Sequence, residues 1–251
     1  MTDSYGTVMA RYYDAAYADM PMLGQDVSFY LQLAREAAGP VLELGCGTGR
    51  ALLPIARDGI PCTGLDSSPA MLAVLAAKSP PESLRLVSAP MQDFDLGDDR
   101  FTLIFAAFRA FQHMYTVEDQ LACLACVRRH LAPGGSFAFD VFNPRLDVIA
   151  RREEPEREEL RFEQEGAEIV RYTSVRRDVE HQLTHLRMRY ERRRAGNVVA
   201  NDVVEFDMRH FFRYELEHLL RRAGFEELTL YGNFDRSPLS PDSPAFVYVA
   251  R

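Results

Sequence analysis

The stretch VLELGCGTGR, residues 41–50, constrains this chain more than any other segment. An apolar run carrying one acid, Glu43, breaks into Gly45, Gly47 and Gly49, and a helical pattern follows at once. Such a turn lets a ligand lie against bare backbone, because glycine has no side chain and enters positive φ without a steric cost. The spacing then sorts the ligands that use loops of this kind.

A phosphate-binding loop ends in Gly-Lys-Ser/Thr. Here Gly49 is followed by Arg50 and Ala51, so that reading fails. A dinucleotide fingerprint has glycines at loop positions one, three and six. Gly45 and Gly47 fit it, but position six is Arg50, which leaves a nicotinamide-dependent oxidoreductase as the weaker alternative. What remains is acid-x-Gly-x-Gly-x-Gly, with Asp66 ending the next apolar run 21 residues beyond Gly45. A carboxylate at the C-terminal end of a second strand is placed for a ribose.

Around the loop the chain alternates. PVLELG, IPCTGLD, LRLVSA, DDRFTLIFAAF and SFAFDVF read as buried strands. Between them lie helices: GRALLPIARDG, SSPAMLAVLAAK with a serine cap and Pro69 in its first turn, and TVEDQLACLACVRRHLAPGG with a Thr116 cap and a Gly-Gly stop. Two helices precede them, one placing Met9, Tyr13 and Tyr17 a turn apart, the other ending at Gly39. Strands alternating with helices predict a parallel sheet covered on both faces. After Pro144 a charged stretch opens an insertion, and from about 160 the period shortens to two, with Leu186, Met188 and Tyr190 alternating with Arg187, Arg189 and Glu191. RAGN at 194–197 reads as a hairpin turn. Helix and strand then return to the end of the chain. The expectation is a Rossmann-like, doubly wound α/β sheet of seven strands with an inserted antiparallel β-sheet. Residues 1–150 and 211–251 form the main domain, with 1–38 as its lid, and 151–210 form the insertion.

Glu43–Gly49 followed by Asp66 resembles the class I S-adenosylmethionine-dependent methyltransferases, whose sulfonium cofactor needs close backbone approach and nearby negative charge. GLDSSPAML resembles the family's second-strand segment and SAPMQDFDL its third, although Pro90 stands where the family's acid meets the adenine amino group. FTLIFAAF, HLAPGGSFAFDVFNP and FRYELEHLLRRAGFEELTLYG extend the likeness across residues 40–251 apart from the insertion. The resemblance implies S-adenosyl-L-methionine as cofactor and S-adenosyl-L-homocysteine as product. As cofactor residues it implies Glu43, Gly45, Cys46 and Gly47 in the loop, Asp66 and Ser67 after the second strand, Met71, Met91 and Gln92 about the adenosine, and Phe105 and Ala106 at the end of the fourth strand.

ARYYDAAYADM and FRAFQHM are similar to segments of the small-molecule methyltransferases that act on amino sugars and glycine-like amines. That carries over Tyr13 and His113 as catalytic candidates, against the plainer readings of a core aromatic and a loop histidine. A histidine near pKa 6.5 suits keeping an amine acceptor neutral or taking its proton. Asp140 suits a polar substrate group or local backbone equally. The implied activity is methyl transfer to a small-molecule acceptor, N- or O-methylation. A non-catalytic regulatory protein that keeps the cofactor site is the other alternative.

Composition narrows the partners. A net charge of −8 argues against a general nucleic-acid binder. Fourteen arginines between Arg151 and Arg213 are matched by fourteen acids, which reads as a salt-bridged surface. No apolar run reaches the length of a membrane span and no signal-peptide pattern opens the chain. Four cysteines without a disulfide framework point to a reducing cytoplasm. No metal site is expected: Cys123 and Cys126 read as buried small residues, His181 and His185 as a solvated face. The inserted sheet must bury its apolar face, either as a roof over the acceptor pocket or as a homodimer surface.

Overall fold

The computed structural model describes residues 4–18 and 23–251. Parts of the expected lid, residues 1–3 and 19–22, lie outside the described residues. The chain divides into two compact units, one joining the described residues of Met1–Met20 to Pro144–His210, the other running over Pro21–Asn143 and Phe211–Arg251. The division departs from the expected one at the front of the chain, where the first helix groups with the insertion.

The larger unit is the doubly wound sheet. Its elements are α2 (Leu23–Ala37), β1 (Val41–Leu44), α3 (Leu52–Arg57), β2 (Cys62–Asp66), α4 (Pro69–Ala77), β3 (Leu84–Ser88), β4 (Phe101–Ala106), a 3-10 turn (Ala110–His113), α5 (Val117–His130), β5 (Leu131–Phe142), α7 (Arg213–Arg222), β10 (Leu228–Tyr231) and β11 (Ala245–Ala250). The seven strands lie in the order β10-β11-β5-β4-β1-β2-β3, with only β11 and its neighbours antiparallel. Alternate residues of each strand feed two separate cores. Leu42, Leu44, Ile104, Phe137 and Phe139 pack with α5 and α7, whereas Val41, Leu103, Phe105, Ala138 and Val247 pack with α2, α3 and α4. Strand order reverses where β1 sits between β2 and β4. In open sheets of this kind the crevice at that point, beyond the strands' C-terminal ends, takes the ligand.

Local chemistry sets the element ends. Ser68 caps α4 by accepting from the Met71 amide at 3.3 Å, with Pro69 at the first helical position. Thr116 caps α5 by accepting from the Asp119 amide at 3.1 Å. The expected Gly-Gly stop of α5 does not exist. The helix ends at His130, and Ala132–Gly135 belong to β5. Between Phe101 and Leu103 the pairing with β5 jumps from Leu131 to Ser136, and the extra residues form a bulge in which Gly134 has φ 75°.

In the smaller unit the short α6 (Leu146–Ile149) leads into strands β6 (Glu153–Gln164), β7 (Ala167–Asp178), β8 (Leu183–Arg194) and β9 (Asn197–Arg209), which form a consecutive antiparallel meander, and α1 (Ser4–Tyr17) packs on it. The charged stretch that opens the insertion is itself the edge strand β6. Charged edges resist pairing with other chains, which explains the composition. The turn at Ala195-Gly196 has both residues at positive φ, 48° and 78°, as a two-residue hairpin demands. Met188 and Tyr190 are buried, and α1 lies over them: Tyr12 stacks on Tyr190 at 4.5 Å. On the opposite face Arg187 and Arg189 pair with Glu156 at 3.0 and 2.6 Å. His181 and His185 bond to Asp178 and Asp207, at 2.9 and 2.6 Å.

Candidate active site

At the mouth of the larger sheet β1 ends and the chain enters three left-handed glycines, Gly45, Gly47 and Gly49, at φ 70°, 52° and 84°. They serve different ends. A side chain on Gly49 would meet Leu75 Cδ1 at 2.2 Å, and one on Gly45 would meet Ala110 Cβ at 3.0 Å, so both are packed from behind or beside. A side chain on Gly47 would meet nothing within 4 Å. Gly47 is therefore the point where bare backbone faces open space.

Asp66 holds the loop in that position. Its Oδ2 accepts from the Gly47 amide at 2.8 Å and its Oδ1 from the Ser68 amide at 2.8 Å. The plain alternative for Asp66, a helix cap, is ruled out because Ser68 does that work. Burial raises the Asp66 pKa while the two amides pull it back. A carboxylate has about four acceptor positions, so two bonds leave capacity for a pair of hydroxyls.

Glu43 is buried on the α2 side of β1, and its Oε2 has no hydrogen-bond partner. Burial holds its carboxyl well above the usual range, Arg50 opposes this, and Asp26 and Asp66 add to it. The carboxyl accepts from the Leu52 amide, and leaving its second oxygen buried without a partner costs the fold. It fits a ligand that brings positive charge. Arg50, the residue that broke the dinucleotide pattern, makes a two-point ion pair with buried Asp26 of α2, at 2.8 and 2.6 Å, and covers the Phe108 ring at 4.7 Å.

The other expected residues fall into groups. Met91 approaches the loop, its Sδ 3.8 Å from where a Gly45 side chain would begin, and Gln92 adjoins it. Met71 is buried in the first turn of α4 and Ser67 is exposed before it. The Cys46 side chain points inward, its Sγ 2.9 Å from where a Gly64 side chain would sit, and burial raises its thiol pKa. Its amide and carbonyl are engaged by Leu65 and Gly49. Phe105 and Ala106 have fully buried side chains, Phe105 stacked on Tyr30 at 4.7 Å.

His113 ends the 3-10 turn after β4, half-buried, with Nδ1 at 3.3 Å from the Tyr115 hydroxyl. Tyr13 lies on α1 in the other unit, its ring edge-on to Tyr17 at 4.8 Å. Asp140 is turned to local backbone: its Oδ1 accepts from the Tyr30 hydroxyl at 2.8 Å and the Phe108 amide at 2.9 Å, its Oδ2 from the Arg109 amide at 3.1 Å. Asp26 and Tyr30 were not singled out in the sequence, and Arg50 stood out only as the residue that breaks the two phosphate-ligand patterns. Asp26 and Tyr30 are one turn apart on α2, and a buried acid on an otherwise apolar face was the available signal.

Comparison with known proteins agrees with this geometry. Residues 41–135 match the methyltransferase domain family. Over 104 residues the chain is 30% identical to the cypemycin N-terminal methyltransferase of a Streptomyces species, covering 41% of this chain and 42% of that protein. It is 28% identical over 130 residues to a dTDP-3-amino-3,4,6-trideoxy-alpha-D-glucopyranose N,N-dimethyltransferase of Streptomyces venezuelae, covering 50% and 54%. The chain thus spans about half the length of the curated relatives it matches. The CcbJ methyltransferase of Streptomyces caelestis superposes with a TM-score of 0.81 at 28% identity, over 99% of this chain and 97% of that one.

Proposed function

From a chain that has the class I S-adenosylmethionine-dependent methyltransferase fold and resembles the amino-sugar methyltransferases, we propose an enzyme that methylates a nitrogen of a small-molecule amine. The observation that carries this reading is the loop: open space at Gly47, a clamping carboxylate at Asp66 and a buried acid at Glu43 with one oxygen unpartnered. A phosphate ligand would not be drawn to two acids. One of the two curated relatives is an N,N-dimethyltransferase by name, which favours nitrogen over oxygen.

Bound S-adenosylmethionine supplies a methyl carbon already activated by the sulfonium. Asp66 would hold the ribose hydroxyls, the Gly45–Gly47 backbone would admit the amino-acid part, Glu43 would lie near its positive charge, and Met71 and Met91 would flank the adenine. Alignment and exclusion of water then supply most of the rate. The acceptor lone pair would form the new bond as the methyl carbon–sulfur bond breaks to leave S-adenosylhomocysteine, and His113 Nε2 would take the proton that the nitrogen then loses.

The test is transfer of labelled methyl from S-adenosylmethionine to a panel of amino sugars, short peptides with free amines, and matched alcohols. Labelling of amines but not alcohols is expected. Labelling of alcohols alone would move the reaction to oxygen, and binding of the cofactor with no transfer to any acceptor would favour a regulatory role.

A further inference from the structure

The chain leaving β4 turns through two consecutive left-handed residues, Phe108 at φ 53° and Arg109 at φ 67°, neither of them glycine. Residues with side chains occupy that region at a cost, so the surroundings must hold them there. Asp140 does so from below. One carboxylate on β5 accepts from the amides of both corner residues, at 2.9 and 3.1 Å, and from the Tyr30 hydroxyl of α2 at 2.8 Å. Tyr30 is fully buried and stacked on Phe105, so its hydroxyl is fixed in place. Straight after the corner comes the 3-10 turn with Ala110 and His113. Ala110 forms one wall of the glycine loop, 3.0 Å from where a Gly45 side chain would begin.

We propose that Tyr30 and Asp140 are positioning residues that set the Phe108–Arg109 corner, and through it place Ala110 against the cofactor loop and His113 over the acceptor. The purpose of the turn rests on the proposed methyltransferase function; the coupling of the pair to the turn does not.

Charge around the pair gives the device a pH dependence. Burial pushes Asp140 up to about 6, the Tyr30 hydroxyl, Arg109 and the Phe108 amide lower it, and Asp26 raises it. Asp26 is itself paired with Arg50, and Glu43 acts on Tyr30 from β1. The neighbouring strands offer apolar residues, Val247 on β11 and Phe105 on β4. Above pH 6 the carboxylate is ionised and accepts all three bonds. Below it a proton occupies one acceptor position and competes with an amide.

Amide hydrogen exchange on the whole protein without cofactor tests this. In Asp140→Asn an amide group is set against a backbone donor. Exchange at residues 108–113 should accelerate about 10- to 150-fold, the factor that losing a bond to a charged group gives, while β5 and the body of α2 stay as in the wild type. Tyr30→Phe keeps the carboxylate and should accelerate the same residues by about 2- to 10-fold. In the wild type, protection at 108–113 should fall between pH 7 and 5 once the intrinsic rate is removed. If Asp140→Asn does not fold, Tyr30→Phe and the wild-type pH series carry the test. Unchanged protection at 108–113, or acceleration spread evenly over the larger unit, would overturn the proposal. S-adenosylhomocysteine titrated into the same variants reports separately: no binding even to the wild type would remove the proposed function and leave the exchange result standing.

Discussion

Replacing Gly47 and Gly49 by alanine separates a ligand-facing glycine from a packing one. Both residues have positive φ, 52° and 84°, so each alanine carries a backbone penalty of about 1–2 kcal/mol. At Gly47 nothing lies within 4 Å of the new methyl, so the backbone term is the whole cost to the fold. At Gly49 the methyl would fall 2.2 Å from Leu75 Cδ1 and 3.1 Å from Leu53 Cγ. Overpacking adds roughly 1–3 kcal/mol, for a total of about 2–5 kcal/mol. For a protein of this size that difference lowers Tm by about 2–4 °C per kcal/mol. Thermal and urea unfolding measure the first quantity, and calorimetric titration with S-adenosylhomocysteine the second. Gly47→Ala should unfold close to the wild type yet lose cofactor binding, whereas Gly49→Ala should be the less stable of the two. Wild-type affinity in a folded Gly47→Ala variant would refute the placement of the ligand on this loop.

Three further substitutions probe the same account. Asp66→Ala should weaken S-adenosylhomocysteine binding by roughly 1.5–3 kcal/mol, or about 10- to 150-fold, by removing charge-assisted bonds and the clamp on the Gly47 amide; an unchanged dissociation constant would leave Asp66 a purely structural role. Glu43→Gln should bind the cofactor less well while matching or exceeding wild-type stability. Because the folded carboxyl is raised above its unfolded value, the wild type loses stability as pH rises from the unfolded value through the folded one, so the variant's relative Tm should climb as pH rises above the ordinary glutamate range, and a flat difference would contradict the burial argument. Tyr190→Ala should cost about 3–5 kcal/mol in urea unfolding, because it removes a buried ring stacked on Tyr12; a loss under 1 kcal/mol, as for a surface residue, would mean α1 does not cover the sheet.

The sheet was legible because its signals are local and repeated. Each strand of the parallel core is a short apolar run, each helix a capped periodic segment, and the glycine loop lies where the two meet. The errors came where a long-range contact overrides a local signal. Pro133, Gly134 and Gly135 read as a helix stop but are drawn into β5 by pairing with β4. The charged run at 153–164 reads only as the start of the insertion, and its pairing with β7 is what makes it an edge strand. In the site, residue type and spacing exposed Gly47, Asp66 and Glu43, because backbone approach and a carboxylate at a strand end leave a mark in the sequence. They left the role of Asp140 undecided and missed Tyr30 and Asp26. Those three act through partners far away in the chain, and nothing local distinguishes a buried acid that clamps a loop from one that binds a substrate.

The most direct test is a calorimetric titration of the intact protein with S-adenosylhomocysteine, run beside one with NADH. Saturable one-to-one binding of S-adenosylhomocysteine, lost in Gly47→Ala, and no heat with NADH are expected. Binding of NADH with none of S-adenosylhomocysteine or S-adenosylmethionine, in protein shown to be folded, would contradict it.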